Sequence, residues 1–394
     1  MSGHKAGRNF FDEKRPWSER KDLILDYYLR PYLAKIGKLG APILLIDGFA
    51  GPGEFGDGAA GSPLIFVRRA QEALASRPDL RLKLICIEAD PELYARLSEQ
   101  LEGLPFAEAW YGEFVRCVPR LESLASAAST FLYLDPYTIE GLNWAAHEHL
   151  FALLAKRRSV EILLNFNTPI FVRLGLQALR LSAPPEAPGE GLEPYTHRTN
   201  ENPSAERLSA SVGGDWWIEI IQQETRFSVM VDEIVNTLRR KLHRWFKETC
   251  VHAVPELPHH TVPKYHLIFG SRHPDALRLM TNAMRKSQDQ LAALAESPQG
   301  MLFETRPKSL VPDLDDLEGL ILKLVVRPSP RGVVIEEVMR SGQNYSETEI
   351  RRAITKLLAS GRILSASGRA KINDREIIAP SPRTGAPTSA APRS

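Results

Sequence analysis

Apolar residues recur at Leu23, Ile24, Tyr27, Tyr28, Tyr32, Leu33 and Ile36, the three- and four-residue spacing that gathers them on one face of an α-helix. A helix is therefore predicted over 22–40, ended by Gly37 or Gly40 and kinked or split by Pro31, whose ring removes a backbone donor. The spacing then changes. Ile43 to Ile46 is an uninterrupted apolar run, as expected of a strand covered on both faces, and it leads through a glycine-rich turn into helical spacing over 63–76. The alternation repeats at 82–88 with 91–101, at 131–135 with 144–156, and at 160–165 with 168–181. Strands separated by helices of this length need crossovers between parallel neighbours, so the predicted fold class is α/β, a doubly wound Rossmann-like sheet.

From 182 to 214 the pattern lapses, and Pro184, Pro185, Pro188, Pro194 and Pro203 predict a long, lid-like loop. Helical spacing resumes over 216–246, and 264–270 and 300–304 read as two more strands separated by a helix over 274–295. The stretch 313–380 reads as three helices and a short β-ribbon, with Ser346 and Glu349 offering a capping box to the third helix. Residues 381–394 are low in complexity and are expected to be a disordered tail. The domains predicted are a helical extension (1–40), a Rossmann-like domain (41–312) with a helical and loop insertion at 182–260, and a small C-terminal domain (313–380).

Composition narrows the function classes. With 43% hydrophobic and 25% charged residues, a chain of 394 residues can bury one large core and one small one. No apolar stretch approaches the roughly 18 residues of a membrane span, and residues 1–16 lack the apolar segment of a signal peptide, so a cytoplasmic location with no membrane partner is expected. Cys86, Cys117 and Cys250 form no CxxC pair, and His259, His260 and His266 lack complementary ligand spacing, so neither a disulfide framework nor a metal site is expected. The net charge of +2 is uninformative. Its distribution is less so: 1–40 and 327–380 each carry roughly four more basic than acidic residues, which suits either solvated surface or a phosphate footprint.

Three constellations carry chemistry. Asp47-Gly-Phe-Ala-Gly-Pro-Gly53 follows the first strand directly, where small residues let the backbone approach a ligand at the carboxyl edge of a parallel sheet. It is neither GxGxxG nor a phosphate loop ending in Gly-Lys-Ser/Thr. Glu88 ends the second strand, where an acid can accept the hydroxyl protons of a ribose; Asp90, before Pro91, suits a helix N-cap instead. The strand Leu132-Tyr-Leu closes on Asp135-Pro136-Tyr137, a carboxylate and carbonyls that can hold an amino group beside a ring able to stack on a base.

Together these positions resemble the class I S-adenosylmethionine-dependent methyltransferases. The resemblance implies S-adenosylmethionine as cofactor, held by Asp47, Phe49, Ala50, Gly51 and Gly53, with Glu88 on its ribose and Tyr111 and Glu113 near its adenine. It implies Asp135, Pro136 and Tyr137 as the catalytic group. Asp-Pro-Tyr-Thr is nearer to the Asp-Pro-Phe/Tyr-Gly of tRNA guanine dimethyltransferases than to the Asp-Pro-Pro-Tyr/Phe of other exocyclic-amine methyltransferases, but lacks the glycine. A wider match, through Phe10-Phe-Asp-Glu-Lys-Arg-Pro-Trp-Ser18, Lys21, the glycine turn, Gly61-Ser-Pro63, Leu134-Asp-Pro-Tyr137, Gly141-Leu142 and Trp144, resembles the three-Cys-motif partner protein family. That implies a radical-SAM-like protein bearing the three cysteines as partner. The C-terminal module resembles a winged helix, with Arg351, Arg352, Lys356, Arg369 and Lys371, joined by Arg375, as a nucleic-acid face. Such modules also dock proteins, and both uses stay open, as does a catalytically silent adaptor.

Overall fold

The strand expected after residue 42 forms as β1 (Ile43–Asp47), and all five of its residues are buried, because helices cover both faces of the sheet it centres. The computed structural model describes residues 11–156, 159–184, 204–255, 262–295, 314–342, 345–369 and 371–381. The chain divides into two units, Met1–Val311 and Pro312–Ser394.

In the first unit, α1 (Pro16–Ile36) precedes β1, and α2 (Ser62–Ser76), β2 (Leu82–Glu88), α3 (Pro91–Leu101), β3 (Ala107–Tyr111), α4 (Phe114–Ala125), β4 (Ser129–Leu134), α5 (Trp144–Leu154), β5 (Val160–Phe166) and α6 (Thr168–Ala178) alternate after it. Then come α7 (Ala205–Val212), α8 (Trp216–Gln223), α9 (Phe227–His243), β6 (Glu248–Val254), β7 (Tyr265–Ser271) and α10 (Pro274–Ala295). The seven strands lie in the order β3-β2-β1-β4-β5-β7-β6. β1 to β5 are mutually parallel, whereas β7 runs antiparallel to both β5 and β6. The order reverses between β1 and β4, leaving a crevice beyond their carboxyl ends.

Alternating side chains divide the core between the two faces. Phe131 and Tyr133 of β4 meet Tyr28 and Tyr32 of α1 and Phe66 of α2. Leu132 and Leu134, with Ile46, Ile87 and Ile162, join Phe114, Phe151 and Ile234 in the opposite core. α1 runs unbroken through Pro31, so of the two expected outcomes the split does not occur. Ile24, Leu25, Tyr28, Leu29, Tyr32 and Leu33 are all buried along it. At ~1.5–3 kcal/mol for each large apolar side chain buried, that stripe outweighs the ~3 kcal/mol of an interior proline.

Other expectations need correction. The stretch 204–214, expected to be loop, contains α7, capped by Ser204, whose Oγ accepts from the Arg207 N–H, and closed by Gly213 at φ 73°. The helical stretch expected over 216–246 forms, as the two helices α8 and α9. Within the expected insertion, β6 is a strand of the main sheet, paired with β7. The strand expected at 300–304 and the tail at 382–394 lie outside the described residues. Among the described residues no helix is long and apolar enough to cross a membrane.

The second unit contains α11 (Leu314–Leu324), β8 (Ser329–Pro330), α12 (Arg331–Arg340), α13 (Glu347–Ala359), β9 (Ile363–Ser365) and β10 (Ile377–Pro380). Its strands form an antiparallel sheet of order β8-β10-β9. Leu317, Ile321, Ile335, Val338, Ile354 and Ile378 are buried in its core. The capping box forms: Ser346 Oγ accepts from the Glu349 N–H, and Glu349 accepts from the Ser346 N–H in return.

Candidate functional site

Gly51 and Gly53 take φ of 66° and 84°, where a side chain is disfavoured, so the turn after β1 needs glycine at both positions. Its amides point back into the sheet. Gly48 N–H donates to the Tyr133 carbonyl (2.9 Å) and Ala50 N–H to the Ile87 carbonyl (2.9 Å). Phe49 N–H donates to Asp47 Oδ1 (3.3 Å) and Gly51 N–H to Glu88 Oε2 (2.8 Å). A phosphate cradle needs a row of amides facing outward, and four consecutive donors here are already engaged. The turn suits a ligand whose edge passes close to the backbone, not one anchored by phosphate.

Two buried acids hold this turn. Glu88 is 7% exposed, and its Oε1 accepts from the Asp90 N–H at 2.7 Å. Burial raises its pKa, opposed by the amides of Asp90, Gly51 and Ala89. An ionised carboxylate has about four lone-pair sites, so capacity for roughly two hydroxyl donors remains. Asp90 caps α3 as expected, accepting from the Glu92 and Leu93 amides. Asp47 is wholly buried, and its Oδ2 has no hydrogen-bond partner. Burial pushes its carboxyl up to about 7, against the pull of the nearby Ser62 hydroxyl and the Phe49 amide; Ser62 does so without meeting the geometry of a hydrogen bond.

Beyond the turn lies a cleft lined by Phe49, Ala50, Gly53, Asp135, Pro136 and Tyr137 together with Lys21 and Asp22 of α1. Six of the sequence-predicted residues thus converge, with Asp47, Gly51 and Glu88 behind them. Asp135 is heavily engaged. Its Oδ2 pairs with the Lys21 ammonium and accepts from the Tyr133 hydroxyl at 3.3 Å, and its Oδ1 accepts from Asn165 Nδ2 at 2.6 Å. Burial raises the Asp22 carboxyl, opposed by Lys14 and Lys21; Lys14 Nζ lies 2.7 Å from it.

The segment that roofs the cleft belongs to the Phe10 to Ser18 stretch that carries the wider resemblance, which left its role open. The Phe11 carbonyl accepts from the Gly56 N–H at 2.6 Å, and Lys14 is tied to Asp57 and to the Ala60 carbonyl. The Phe11 ring lies edge-on to Tyr137, with centroids 5.1 Å apart. A Cβ on Gly51 would come within 3.0 Å of that ring and 3.4 Å of the Tyr137 hydroxyl. Asn165, a polar residue near the carboxyl end of β5 after the apolar run Ile162–Leu164, was the available signal for the Asp135 clamp. Lys21 stood in the family-like pattern of the sequence without a role attached to it.

Tyr111 and Glu113 do not line the cleft. Tyr111 is 58% exposed, its ring 5.3 Å from that of Tyr94, and Glu113 is exposed and pairs with Arg116. His266 is buried with its Nδ1 2.8 Å from the Thr168 hydroxyl, and burial lowers its pKa to about 3. His259 and His260 lie outside the described residues.

The expected single basic face of the second unit is divided. Arg351 is bound to Asp374 at 2.6 and 2.7 Å and to Glu347 at 2.9 and 2.5 Å. Lys356 turns instead to Glu318 at 2.6 Å, which also holds Arg362. Arg352, Arg369, Lys371 and Arg375 are exposed.

No protein-family model matches the chain, and no curated protein matches it. Among solved structures it is similar to a caffeoyl-CoA O-methyltransferase from Staphylococcus aureus, with 8% identity over 61% of this chain and 83% of that one, at a TM-score of 0.27. It is also similar to protein LPL1258 from Legionella pneumophila, with 9% identity over 73% of this chain and 94% of that one, at a TM-score of 0.35. At TM-scores this low neither likeness bears on fold or activity.

Proposed function

We propose that this chain is an S-adenosylmethionine-dependent methyltransferase acting on an exocyclic amine of a nucleic-acid base. What supports this most is the acid pair around a glycine turn whose amides are spent on the sheet: Glu88 with lone pairs left for a ribose, and Asp47 with an orphaned, buried Oδ2. The seven-stranded, mostly parallel sheet is consistent with a Rossmann-like methyltransferase fold. The ammonium of the cofactor's amino-acid end suits Asp47 Oδ2, which as a buried acceptor costs stability until a donor reaches it.

When bound, S-adenosylmethionine supplies a methyl group made electrophilic by its sulfonium. The chain's own part is positional. An exocyclic amine is a weak nucleophile because its lone pair is delocalised into the ring, and Asp135 and the Pro136 carbonyl accept hydrogen bonds from its two N–H groups as the nitrogen becomes tetrahedral. The new nitrogen–methyl bond replaces the methyl–sulfur bond, a neutral thioether leaves, and the nitrogen gives up one proton to solvent. Tyr137 stacks on the base, and Asn165 and Tyr133 keep the carboxylate oriented. Misplacement by about an ångström costs on the order of a hundredfold in rate. Asp135→Ala should therefore lose single-turnover methylation of cellular nucleic acid at least a hundredfold while retaining cofactor affinity; full turnover in that variant would remove Asp135 from the reaction.

A second reading, the catalytically silent adaptor, is favoured by one observation. Asp135 already holds three donors, and Phe11 lies against the Tyr137 ring where a base would stack. In either reading the second unit is a winged helix, and a three-cysteine-motif, radical-SAM-like protein is the proposed partner of the chain. Co-purification of that protein with the full chain tests the pairing.

A further inference from the structure

A second groove lies along α1, lined by Asp26, Tyr27, Arg30 and Pro31, with Arg69 of α2 and Lys286 of α10. Its charges are unbalanced. Asp26 is taken by Arg68 (2.6 Å) and by Nε and Nη2 of Arg69 (2.7 and 2.5 Å), and Glu72 is taken by Nη1 of Arg69 (2.6 Å). Arg30 and Lys286 are exposed, and neither pairs with a carboxylate among the described residues. The Lys286 ammonium sits 5.0 Å from the centre of the Tyr27 ring, and the Tyr27 hydroxyl donates to Gln290 Oε1 at 2.8 Å. α1, α2 and α10 thus bring to one concavity a fixed aromatic wall and two cations that no carboxylate of the described residues neutralises. Concavity argues against a flat lipid surface; cations beside an aromatic face suit a strand with phosphates and bases.

The groove is also aligned with the cleft. Asp22, which lines the cleft, is followed at four-residue intervals by Asp26 and Arg30, one ridge of α1. At 1.5 Å per residue, Arg30 lies about 12 Å along the helix from Asp22. Stacked nucleotides advance about 3.4 Å each along a strand, so that span is roughly three to four nucleotides. We infer that this groove holds the phosphates of a single-stranded nucleic acid a few nucleotides away from the base presented to Asp135, with Arg30 and Lys286 on phosphates and Tyr27 against a base. The inference rests on the reading of the cleft as a nucleic-acid methyltransferase site.

The test uses the full chain and a fluorescein-labelled single-stranded oligonucleotide of a dozen nucleotides, as RNA and as DNA, titrated by anisotropy from about 50 to 300 mM salt. Arg30→Glu with Lys286→Glu should weaken binding more than tenfold. It should also flatten the plot of log affinity against log salt by roughly 1.4, two phosphates at about 0.7 each for single strands. Tyr27→Leu should weaken binding at least fivefold with the slope unchanged, since stacking is not a counterion effect. Affinity for S-adenosylmethionine should stay at the parent's value in both variants. Equal affinity and slope in the parent and the charge-reversed variant would overturn the inference, as would loss on reversal of binding to phosphatidylserine vesicles while oligonucleotide binding persists. A parent that binds oligonucleotide through this groove but takes up no S-adenosylmethionine would defeat the methyltransferase reading alone.

Discussion

Lys21→Met strips the ammonium from Asp135, whose side chain is 17% exposed against 9% for Lys21. Breaking one side of a buried ion pair costs about 3–5 kcal/mol, because the other charge is left uncompensated. Asn165 and the Tyr133 hydroxyl stay on the carboxylate, and hydrogen bonds to a charged group contribute about 1.5–3 kcal/mol each. The expected loss is therefore at the lower end, about 3 kcal/mol. Lys21→Met combined with Asp135→Asn removes both charges, and should be about 2 kcal/mol more stable than the two single losses summed. Urea unfolding followed by tryptophan fluorescence measures this for the first unit, since all six tryptophans, from Trp17 to Trp245, precede residue 312. Losses that add within about 0.5 kcal/mol would show that Lys21 and Asp135 are not coupled, and the account of a clamped carboxylate would fail.

Burial holds Asp47 near 7, above its ordinary 3.8, so the folded chain binds this proton more tightly than the unfolded one. The stabilisation is complete below about pH 4 and is lost as pH rises through 7. Asp47→Asn should remove that part of the decline in urea midpoint between pH 5 and 8, leaving the part due to Glu161, which burial raises to about 8; an unaltered decline would contradict the assignment. In the second unit, Arg351→Met should lower stability by only about 1 kcal/mol, because the pair with Asp374 is about a third exposed. It should leave the salt dependence of nucleic-acid binding unchanged, since its charge is already neutralised, and a flattened slope would restore Arg351 to the binding face.

The central strands were legible because both faces of the sheet are covered. Ile43–Ile46 and Leu84–Ile87 are therefore uninterrupted apolar runs, which few other structures require. β6 was not, because Glu-Thr-Cys-Val-His-Ala-Val lies at the sheet's edge, pairs with β7, and shows neither an uninterrupted apolar run nor a regular polar-apolar alternation. The continuity of α1 through Pro31 was hidden for a different reason: it depends on the aromatic stripe docking on Phe131 and Phe269, a tertiary contact that local propensity does not encode. The same holds in the site. Asp47, Glu88 and Asp135 stand at strand ends, and strand ends can be read from periodicity. Lys21 and Phe11 reach the cleft only because of where α1 and the segment before it come to lie. The pairing of Arg351 with Asp374 was hidden too, since Asp374 follows it only after the end of α13 and β9, whereas Glu347, four residues earlier on the same helix, was legible.

Calorimetric titration of S-adenosylmethionine into the full chain, and into Glu88→Ala and Glu88→Gln shown by urea unfolding to be folded, bears most directly on the proposed activity. The parent should bind one equivalent saturably. Glu88→Ala, losing hydrogen bonds to a charged acceptor worth about 1.5–3 kcal/mol each, should bind roughly ten- to a hundredfold more weakly, with Glu88→Gln in between. No binding by the parent, or undiminished affinity in folded Glu88→Ala, would contradict the assignment of the glycine turn and its buried acid to this cofactor.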